Sequence, residues 1–185
     1  MSTTNHPLAS LGKVTDFTIE QNDQIASLVA EQESLARLSA FNYETAWTIG
    51  NTIRSLFLER YDPKKNGVSV KIETSTGHVL FSASVGDAPG VMLGNWSWVE
   101  GKAKVVRRMG KSSLRVGREL ASKGREPESQ GLYWPEFVCH GGAFPIFVKG
   151  VDVGPIGAIM VSGLAQLEDH QLIVDALVKS SHLLA

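Results

Sequence analysis

The residues whose types and spacing best suit chemistry lie in the segment CHGGAFPIFV at 139–148, where His140 precedes Gly141 and Gly142. The backbone N–H groups of such a glycine turn, with an imidazole beside them, can bind a carboxylate or another anion. The same glycines can instead allow a sharp turn into a buried strand, with Pro145 at an edge or a bulge. From the residues alone we favour the turn, because glycine pairs before strands are common.

Cys139 is a weaker candidate, although it is the only cysteine of the chain. Neighbours on a strand point to opposite faces, so Cys139 and His140 do not form a nucleophilic pair, and we predict a buried structural thiol. A single cysteine also excludes an internal disulfide and suits a reducing compartment. The sequence contains no carboxylate pair, Walker loop, dinucleotide-binding glycine pattern or nucleophile elbow, which argues against a hydrolase.

The second feature is a basic segment at 102–125, which holds nine of the 18 cationic residues, with Glu119 as its only acid. Its charges could neutralise phosphates while Trp96 and Trp98 stack on bases, form a solvated face, or bind an acidic protein partner. We disfavour nucleic acid, because no recognised binding module accompanies the charge. Trp96 and Trp98 cannot share a helix face, so we expect one in the core and one at an interface.

Histidines and carboxylates supply the remaining candidates for binding a metal or haem iron. No Cys-x-x-Cys-His or His-Glu-x-x-His spacing is present, so we predict no metal site. His170 lies at the start of a predicted helix, and we expect it to be a surface residue that does not act as a ligand. The candidates are His78, His140, His170, Glu168 and Asp169.

The composition is that of an ordinary globular protein, at 43% hydrophobic and 20% charged residues. The net charge of −1 excludes a globally basic nucleic-acid binder. No signal peptide is visible, and the apolar runs are far shorter than the ~20 residues of a spanning helix. We predict a cytoplasmic protein without membrane or nucleic-acid partners, built as a loose arm at 1–15 and one domain at 16–185.

The elements that must position these residues follow from the spacing of the apolar side chains. Helical spacing predicts helices over 22–40, capped by Asn22 and Asp23, then from Tyr43 to just before Tyr61, and again from near Leu167. Alternation predicts a half-buried strand at 68–72 that returns over 78–84, followed by a loop at 86–90.

Two further predictions concern the second half of the chain. Gly110 and Gly117 divide the basic segment into two helices or a kinked one, and Ser112 and Ser113 suit a cap of the second better than a nucleophile. A second strand pair is predicted at 144–148 and 155–161, the latter central. This order implies an α+β fold in which helices pack on an antiparallel sheet.

Several motifs resemble the haem-degrading-like domain family, which groups the GlcG and HbpS proteins with the C-terminal domain of PduO-type proteins. The branch of small stand-alone proteins is most similar. The resemblance covers roughly residues 20–183 and is more specific in the second half. Ala143 departs from the family, which commonly has a third glycine there. The shared residues are Trp98, Lys102, Arg108, Ser112, Ser113, Gly117, His140–Gly142, Phe144–Ile146, Val161–Gly163 and Glu168–His170.

The resemblance implies a profilin-like three-layer α/β/α fold with a five-stranded antiparallel sheet, a symmetric homo-oligomer, and haem or a related tetrapyrrole as the ligand. We therefore predict an oligomeric protein that binds a small anionic ligand. One alternative is a scaffold that contacts acidic protein partners through its basic helix, and another is an enzyme that uses His140 as acid or base. The predicted ligand site comprises His140, Gly141, Gly142, Phe144, Lys102, Arg108 and Ser113.

Overall fold

A computed structural model describes residues 16–87 and 91–185. The predicted arm at 1–15 and positions 88–90 of the predicted loop lie outside the described residues. The chain forms five α-helices and five strands among the described residues, with short 3₁₀ turns at Pro127–Gln130 and Ser181–Leu183. The elements are α1 Ile19–Leu35, β1 Arg37–Leu38, α2 Tyr43–Arg60, β2 Gly67–Thr74, β3 Val79–Gly86, α3 Leu93–Met109, α4 Ser113–Ala121, β4 Ala143–Val148, β5 Gly157–Ser162 and α5 Gln166–Lys179.

The strands form one five-stranded sheet in the order β1-β4-β5-β2-β3. Helices α2 and α5 pack on one face and α3 packs on the other, so the α+β class and the three layers are confirmed. The prediction of a wholly antiparallel sheet is wrong, because β1 runs parallel to β4. Strand β1 has only two residues, and no proline or glycine separates it from α1, so the helical pattern concealed it.

Strand β2 corrects a second prediction, because it is buried on both faces rather than one. Its two charged side chains, Lys71 and Glu73, lie beneath α3 and have their own charge partners. The Nζ atom of Lys71 lies 2.8 Å from a carboxylate oxygen of Glu73 and also contacts Glu100, and Arg107 contacts Glu73. Because buried charges are tolerated when they are paired, this polar alternation does not indicate a solvent-facing side.

Helix α1 begins at Ile19, so the predicted caps Asn22 and Asp23 are wrong. Thr18 is the N-cap: its Oγ1 accepts a hydrogen bond from Gln21 N at 3.1 Å, and Gln21 Oε1 accepts one from Thr18 N at 2.9 Å. This reciprocal pair is a capping box, whose Thr-x-x-Gln signature is visible in the sequence. The cap therefore lies four residues before the first of the predicted caps.

The basic segment forms two helices, as one of the predictions states. Gly110 ends α3 in the left-handed conformation, with φ 65°, which glycine adopts without steric cost. Ser112 then caps α4, and its Oγ accepts a hydrogen bond from Arg115 N at 3.2 Å. Within the described residues, no helix combines the length and the hydropathy that crossing a bilayer requires.

Candidate functional site

A cavity of about 300 Å³ opens beside His140. Helix α4 forms one wall, and the irregular chain between Arg125 and Cys139 forms the other. The polar lining includes Arg118, Arg125 and Glu128, and Trp134 and Phe137 contribute aromatic surface. This combination of a concave surface, apolar rings and a few charged groups is typical of small-ligand sites, and the volume is at the lower end of their range.

The His140 side chain lies at the mouth of this cavity, next to two exposed tryptophans. The ring of Trp98 meets that of His140 edge to face, with centroids 5.4 Å apart, and the ring of Trp134 lies 4.8 Å from that of Trp98. Partial burial, and then the positive charges of Lys102 and Arg118, lower the pKa of His140. The imidazole is therefore mainly neutral at neutral pH and can accept a hydrogen bond as well as donate one.

Arg118 is the cation held most firmly at the cavity. Its Nη1 donates to Asn22 Oδ1 at 3.0 Å, and its guanidinium lies over the ring of Phe17 at 5.3 Å. Its Nε has no hydrogen-bond partner among the described residues. Helix α1 thus orients Arg118 without using all of its donors, as an anion-binding arginine requires.

Lys102 lies inside the molecule and not at the cavity surface. Its side chain is 2% exposed, and its Nζ donates to Asp169 Oδ2 at 2.9 Å and to the Val161 carbonyl at 3.0 Å. Asp169 Oδ1 accepts from Leu164 N at 3.0 Å. This Lys102–Asp169 pair joins α3 to the start of α5 across the end of β5, so its position favours a structural role.

Gly141 and Gly142 pack against neighbouring backbone. A Cβ atom on Gly142, which has φ 114°, would lie 2.2 Å from the Val161 carbonyl oxygen and 2.7 Å from Lys102 Nζ. A Cβ atom on Gly141 would lie 2.0 Å from the Gln166 carbonyl oxygen. This close packing supports the turn interpretation, because the glycines bring the chain onto β5 and α5 instead of lining open space.

The other predicted site residues separate into two groups. The Oγ of buried Ser113 accepts from Ala143 N at 3.0 Å, and Phe144 is 1% exposed in the core. Arg108 is exposed, donates to the carbonyl oxygens of Gly131 and Gln130, and lies over the Phe137 ring at 5.1 Å. Arg108 therefore supports the Phe137 wall from outside the cavity, and His140 is the predicted residue that lines it.

The prediction of a surface position for His170 is wrong, and most of the cavity lining carries no recognisable pattern in the sequence. His170 is fully buried rather than on the surface, and its Nε2 lies 3.0 Å from Gln32 Oε1. No pattern in the sequence distinguishes Arg118 from the other cations of the basic segment, and residues 125–136 are predicted only as a polar, proline-containing loop. A signal was available for Trp134, since an aromatic residue in a polar loop requires an explanation. Of the described side chains, no group of three or more His, Cys, Asp or Glu residues could hold a metal ion.

Most cations of the basic segment contact carboxylates of the same chain. Arg115 pairs with Glu33 and Glu119 at 2.7 Å, and Lys111 pairs with Glu119 at 2.7 Å. Lys104 lies 3.4 Å from Glu136. These internal pairs neutralise much of the charge that was predicted to contact an acidic partner.

Cys139 is a buried thiol, 6% exposed, as predicted. Burial raises its pKa to about 11, and nearby Glu128 acts in the same direction. A thiol that remains protonated is a poor nucleophile. Cys139 therefore contributes packing to the cavity wall rather than reactivity.

We expect the protein's stability to report the titration of Asp169. Burial raises the pKa of Asp169 to about 6, against the opposing effect of Lys102 and the backbone N–H groups of Leu164 and Gly163. In the unfolded chain, the Asp169 carboxyl loses its proton near pH 4. The folded state holds this proton more tightly, so protonated Asp169 stabilises the fold fully below about pH 4, and that stabilisation is lost as the pH rises through about 6. At about 1.4 kcal/mol per pKa unit, the loss is about 3 kcal/mol.

Urea unfolding between pH 4 and pH 7 measures this effect. The free energy of unfolding of the wild type minus that of Asp169→Asn should decrease as the pH rises from 4 to 7, since residue 169 does not titrate in the variant. A flat difference would mean that the attraction of Lys102 cancels the effect of burial, and a difference that rises with pH would mean that the attraction outweighs it; either result contradicts the prediction.

With this geometry defined, comparisons with known proteins identify the family. A family model described as haem degrading protein HbpS-like matches residues 41–178. The chain belongs to this family. UPF0303 proteins are also similar to it: one from Rhizobium leguminosarum bv. trifolii is 39% identical over 161 residues, covering 87% of this chain and 90% of the relative. A second, from Acidobacterium capsulatum, is 40% identical over 153 residues and covers 82% and 86%.

Solved structures show the same HbpS-like fold. The crystal structure of the Ybr137w protein superposes with a TM-score of 0.76 at 28% identity, covering 95% of this chain and 92% of that one. HbpS itself gives a TM-score of 0.55 at 18% identity, covering 76% and 89%. A PduOC:heme complex gives 0.56 at 16% identity, covering 75% and 94%. The last two likenesses concern the fold.

Proposed function

We propose that this protein binds a small organic anion in the cavity beside His140, and that it does so as a homo-oligomer in the cytoplasm. Haem or a related tetrapyrrole is the candidate that the HbpS-like family suggests. A haem complex of PduOC shares the fold, which supports the same ligand class. The observation that carries the proposal is one partly open cavity that combines His140, Arg118, Arg125 and two aromatic rings.

The cavity fits a carboxylate-bearing group better than a whole macrocycle. About 300 Å³ is too small to enclose haem, so only its carboxylate edge would enter. Arg118 and Arg125 would bind those carboxylates, and Trp134 and Phe137 offer apolar surface to a ring. Bound haem would bring redox-active iron to the site. The protein's own residues would bind and orient the ligand, while His140 would hold or accept a proton at its imidazole.

Titration of the full chain with haem, followed through the Soret band, tests this function. A parallel titration with metal-free protoporphyrin IX separates recognition of the carboxylates from binding through iron. Arg118→Gln and His140→Ala should each weaken binding roughly tenfold or more, as expected for the loss of a hydrogen bond to a charged group. Arg37→Gln is the matched control, because Arg37 also stacks on an aromatic ring, Phe147, but lies on β1.

Two outcomes would contradict the ligand proposal. One is the absence of a Soret shift together with the absence of displaceable porphyrin binding at micromolar protein. The other is binding that Arg118→Gln and Arg37→Gln weaken equally. Unchanged haem binding in His140→Ala would remove His140 from the site and leave the role of Arg118 in place.

The scaffold alternative has less support, because most cations of the basic segment pair with carboxylates of the same chain. Charge reversal at Arg107 cannot test it cleanly, since Arg107 pairs with Glu73, which is 1% exposed. Arg108 is the better position, because it is exposed and contacts carbonyl oxygens. If Arg108→Glu abolished capture of an acidic partner and left ligand binding intact, the scaffold would be favoured.

A further inference from the structure

Strand β3 is an edge strand that lacks two of the features by which edges are commonly protected, charged residues and proline, although a β-bulge interrupts it near its start. In the part of the chain that the structure describes, it pairs with β2 alone. Its eight residues, VLFSASVG, contain no charged residue and no proline. Exposed edges usually carry such residues, because unpaired N–H and C=O groups otherwise recruit another strand. The composition of β3 is that of a strand with a partner.

Exposed aromatic side chains lie alongside this edge, on helix α2. Tyr43 and Trp47, one turn apart, are 64% and 62% exposed. The Trp47 ring meets that of Phe81 edge to face, with centroids 6.0 Å apart. Large aromatic residues at the surface are enriched in protein interfaces. The edge strand and this aromatic pair therefore form one surface.

The pairing of β3 with β2 limits the part of the strand that can take a partner. Ile72 faces Phe81, but the next residue, Glu73, faces Val79, so Leu80 forms a β-bulge. A bulge interrupts regular pairing, so the regular edge runs from Phe81 to Gly86.

A second copy of the same strand fits this regular edge. In an antiparallel pair, residues directly opposite each other point to the same face of the sheet. A two-fold axis at Ala83 satisfies this condition, because it places Phe81 opposite Val85 and Ser82 opposite Ser84. The core-facing side chains then meet core-facing ones, and the hydroxyl groups meet each other. Such self-complementarity is what a two-fold interface requires.

The charges at the ends of the strand are complementary in the same arrangement. Asp87 follows β3 and His78 precedes it, so antiparallel pairing brings the Asp87 end of one copy towards the His78 end of the other, just beyond the regular edge. The imidazole of His78 contacts Tyr43 Oη through Nε2 at 3.1 Å, which leaves its other nitrogen for the carboxylate. No like charges are brought together along the strand.

We propose that two copies of this protein associate through antiparallel pairing of β3 with β3, centred on Ala83, to form a continuous ten-stranded sheet. The exposed side chains of Tyr43 and Trp47 of each copy lie beside the paired β3 strands. This inference deepens the homo-oligomer part of the proposed function, and it does not depend on a ligand at His140.

A cysteine at the axis tests this geometry directly. Opposite Cα atoms in an antiparallel pair lie about 4.5 or 5.5 Å apart, within the range that a disulfide spans. Ala83→Cys should therefore cross-link to itself under mild oxidation, so that more than half of the chains form a disulfide dimer. The native thiol of Cys139 is buried and does not compete. Ser82→Cys should cross-link when mixed with Ser84→Cys, and much less alone.

The native mass in light scattering gives the second readout. Ser82→Lys with Ser84→Lys places four ammonium groups at the junction, on exposed side chains that a monomer tolerates, and should halve the wild-type mass. Ser34→Lys with Ser129→Lys is the control for charge, at exposed positions away from β3, and should leave the mass unchanged.

Distinct outcomes separate the two proposals. A monomeric wild type would overturn both this inference and the homo-oligomer. An oligomer whose mass ignores the β3 lysines, or in which Ala83→Cys does not cross-link, would overturn this inference alone. If the cross-link formed only after removal of residues 1–15, that segment would be the occupant of β3 instead of a second copy, and the inference would fail.

Discussion

Replacing Gly142 with alanine should lower the free energy of unfolding by about 2–5 kcal/mol. About 1–2 kcal/mol of this reflects a side chain at positive φ, and overpacking adds about 1–3 kcal/mol. The new Cβ atom would lie 2.2 Å from the Val161 carbonyl oxygen and 2.9 Å from the Asp169 Cβ atom. Neither neighbour is the end of a flexible side chain, so β5 or α5 must shift. The Lys102–Asp169 pair would shift as well.

Gly154→Ala provides a closely matched control for this prediction. Gly154 has φ 116°, almost the same as Gly142, but nothing lies within 4 Å of its Cβ position. Gly154→Ala should therefore lower the free energy of unfolding by only about 1–2 kcal/mol, the cost of a side chain at positive φ. Urea unfolding of both variants separates strain from packing. If the two variants lost the same free energy of unfolding, glycine would be needed at position 142 only for its positive φ, and the close contact with β5 would not contribute.

The second large effect is expected at Lys102. Lys102→Met should destabilise the protein by about 3–5 kcal/mol, because it leaves the Asp169 carboxylate buried without its partner. Replacing both residues, as in Lys102→Met with Asp169→Leu, should restore much of the loss, since apolar substitution of a whole buried pair is often neutral. This recovery distinguishes an unpaired charge from a simple packing defect.

Lys104→Met is the control for this series. Lys104 is on the same helix but pairs with Glu136 at the surface, where removal should cost about 0–1 kcal/mol. Urea unfolding of the wild type, the two single variants at Lys102 and Asp169, and the double variant completes a double-mutant cycle for the buried pair. If the double variant were as unstable as the sum of its two single variants, the coupling between Lys102 and Asp169 would be negligible and the prediction wrong.

The fold could be predicted from the sequence where local signals act alone. Helix α2 shows its boundaries because apolar spacing begins at Tyr43 and Pro63 prevents continuation. The hairpin of β2 and β3 is apparent from alternation around a glycine turn. Strand β1 could not be found this way, because its two residues depend on pairing with Phe147 and Val148, more than a hundred positions away.

The candidate site was harder to predict, because its contacts join distant parts of the chain. Lys102 and Asp169 are 67 positions apart, so no spacing rule links them. The sequence indicates His140, because a histidine before two glycines is typical of an anion-binding turn. No such pattern marks Arg118, because its orientation depends on Asn22 of α1 and on the ring of Phe17. The sequence therefore indicated the segment near the cavity, but the cavity itself arises from packing.

The contact of Trp98 with Trp134 and His140 has an optical consequence. Two indole rings 4.8 Å apart are close enough for their electronic transitions to couple, so the Trp98–Trp134 pair should give a characteristic near-ultraviolet circular dichroism signal. The neighbouring imidazole adds a quencher whose strength changes with protonation. The chain has four tryptophans, and Trp47 lies apart from this pair, beside β3. Light absorbed and emitted by the native protein can therefore distinguish events at the cavity from events at the sheet edge without any attached label.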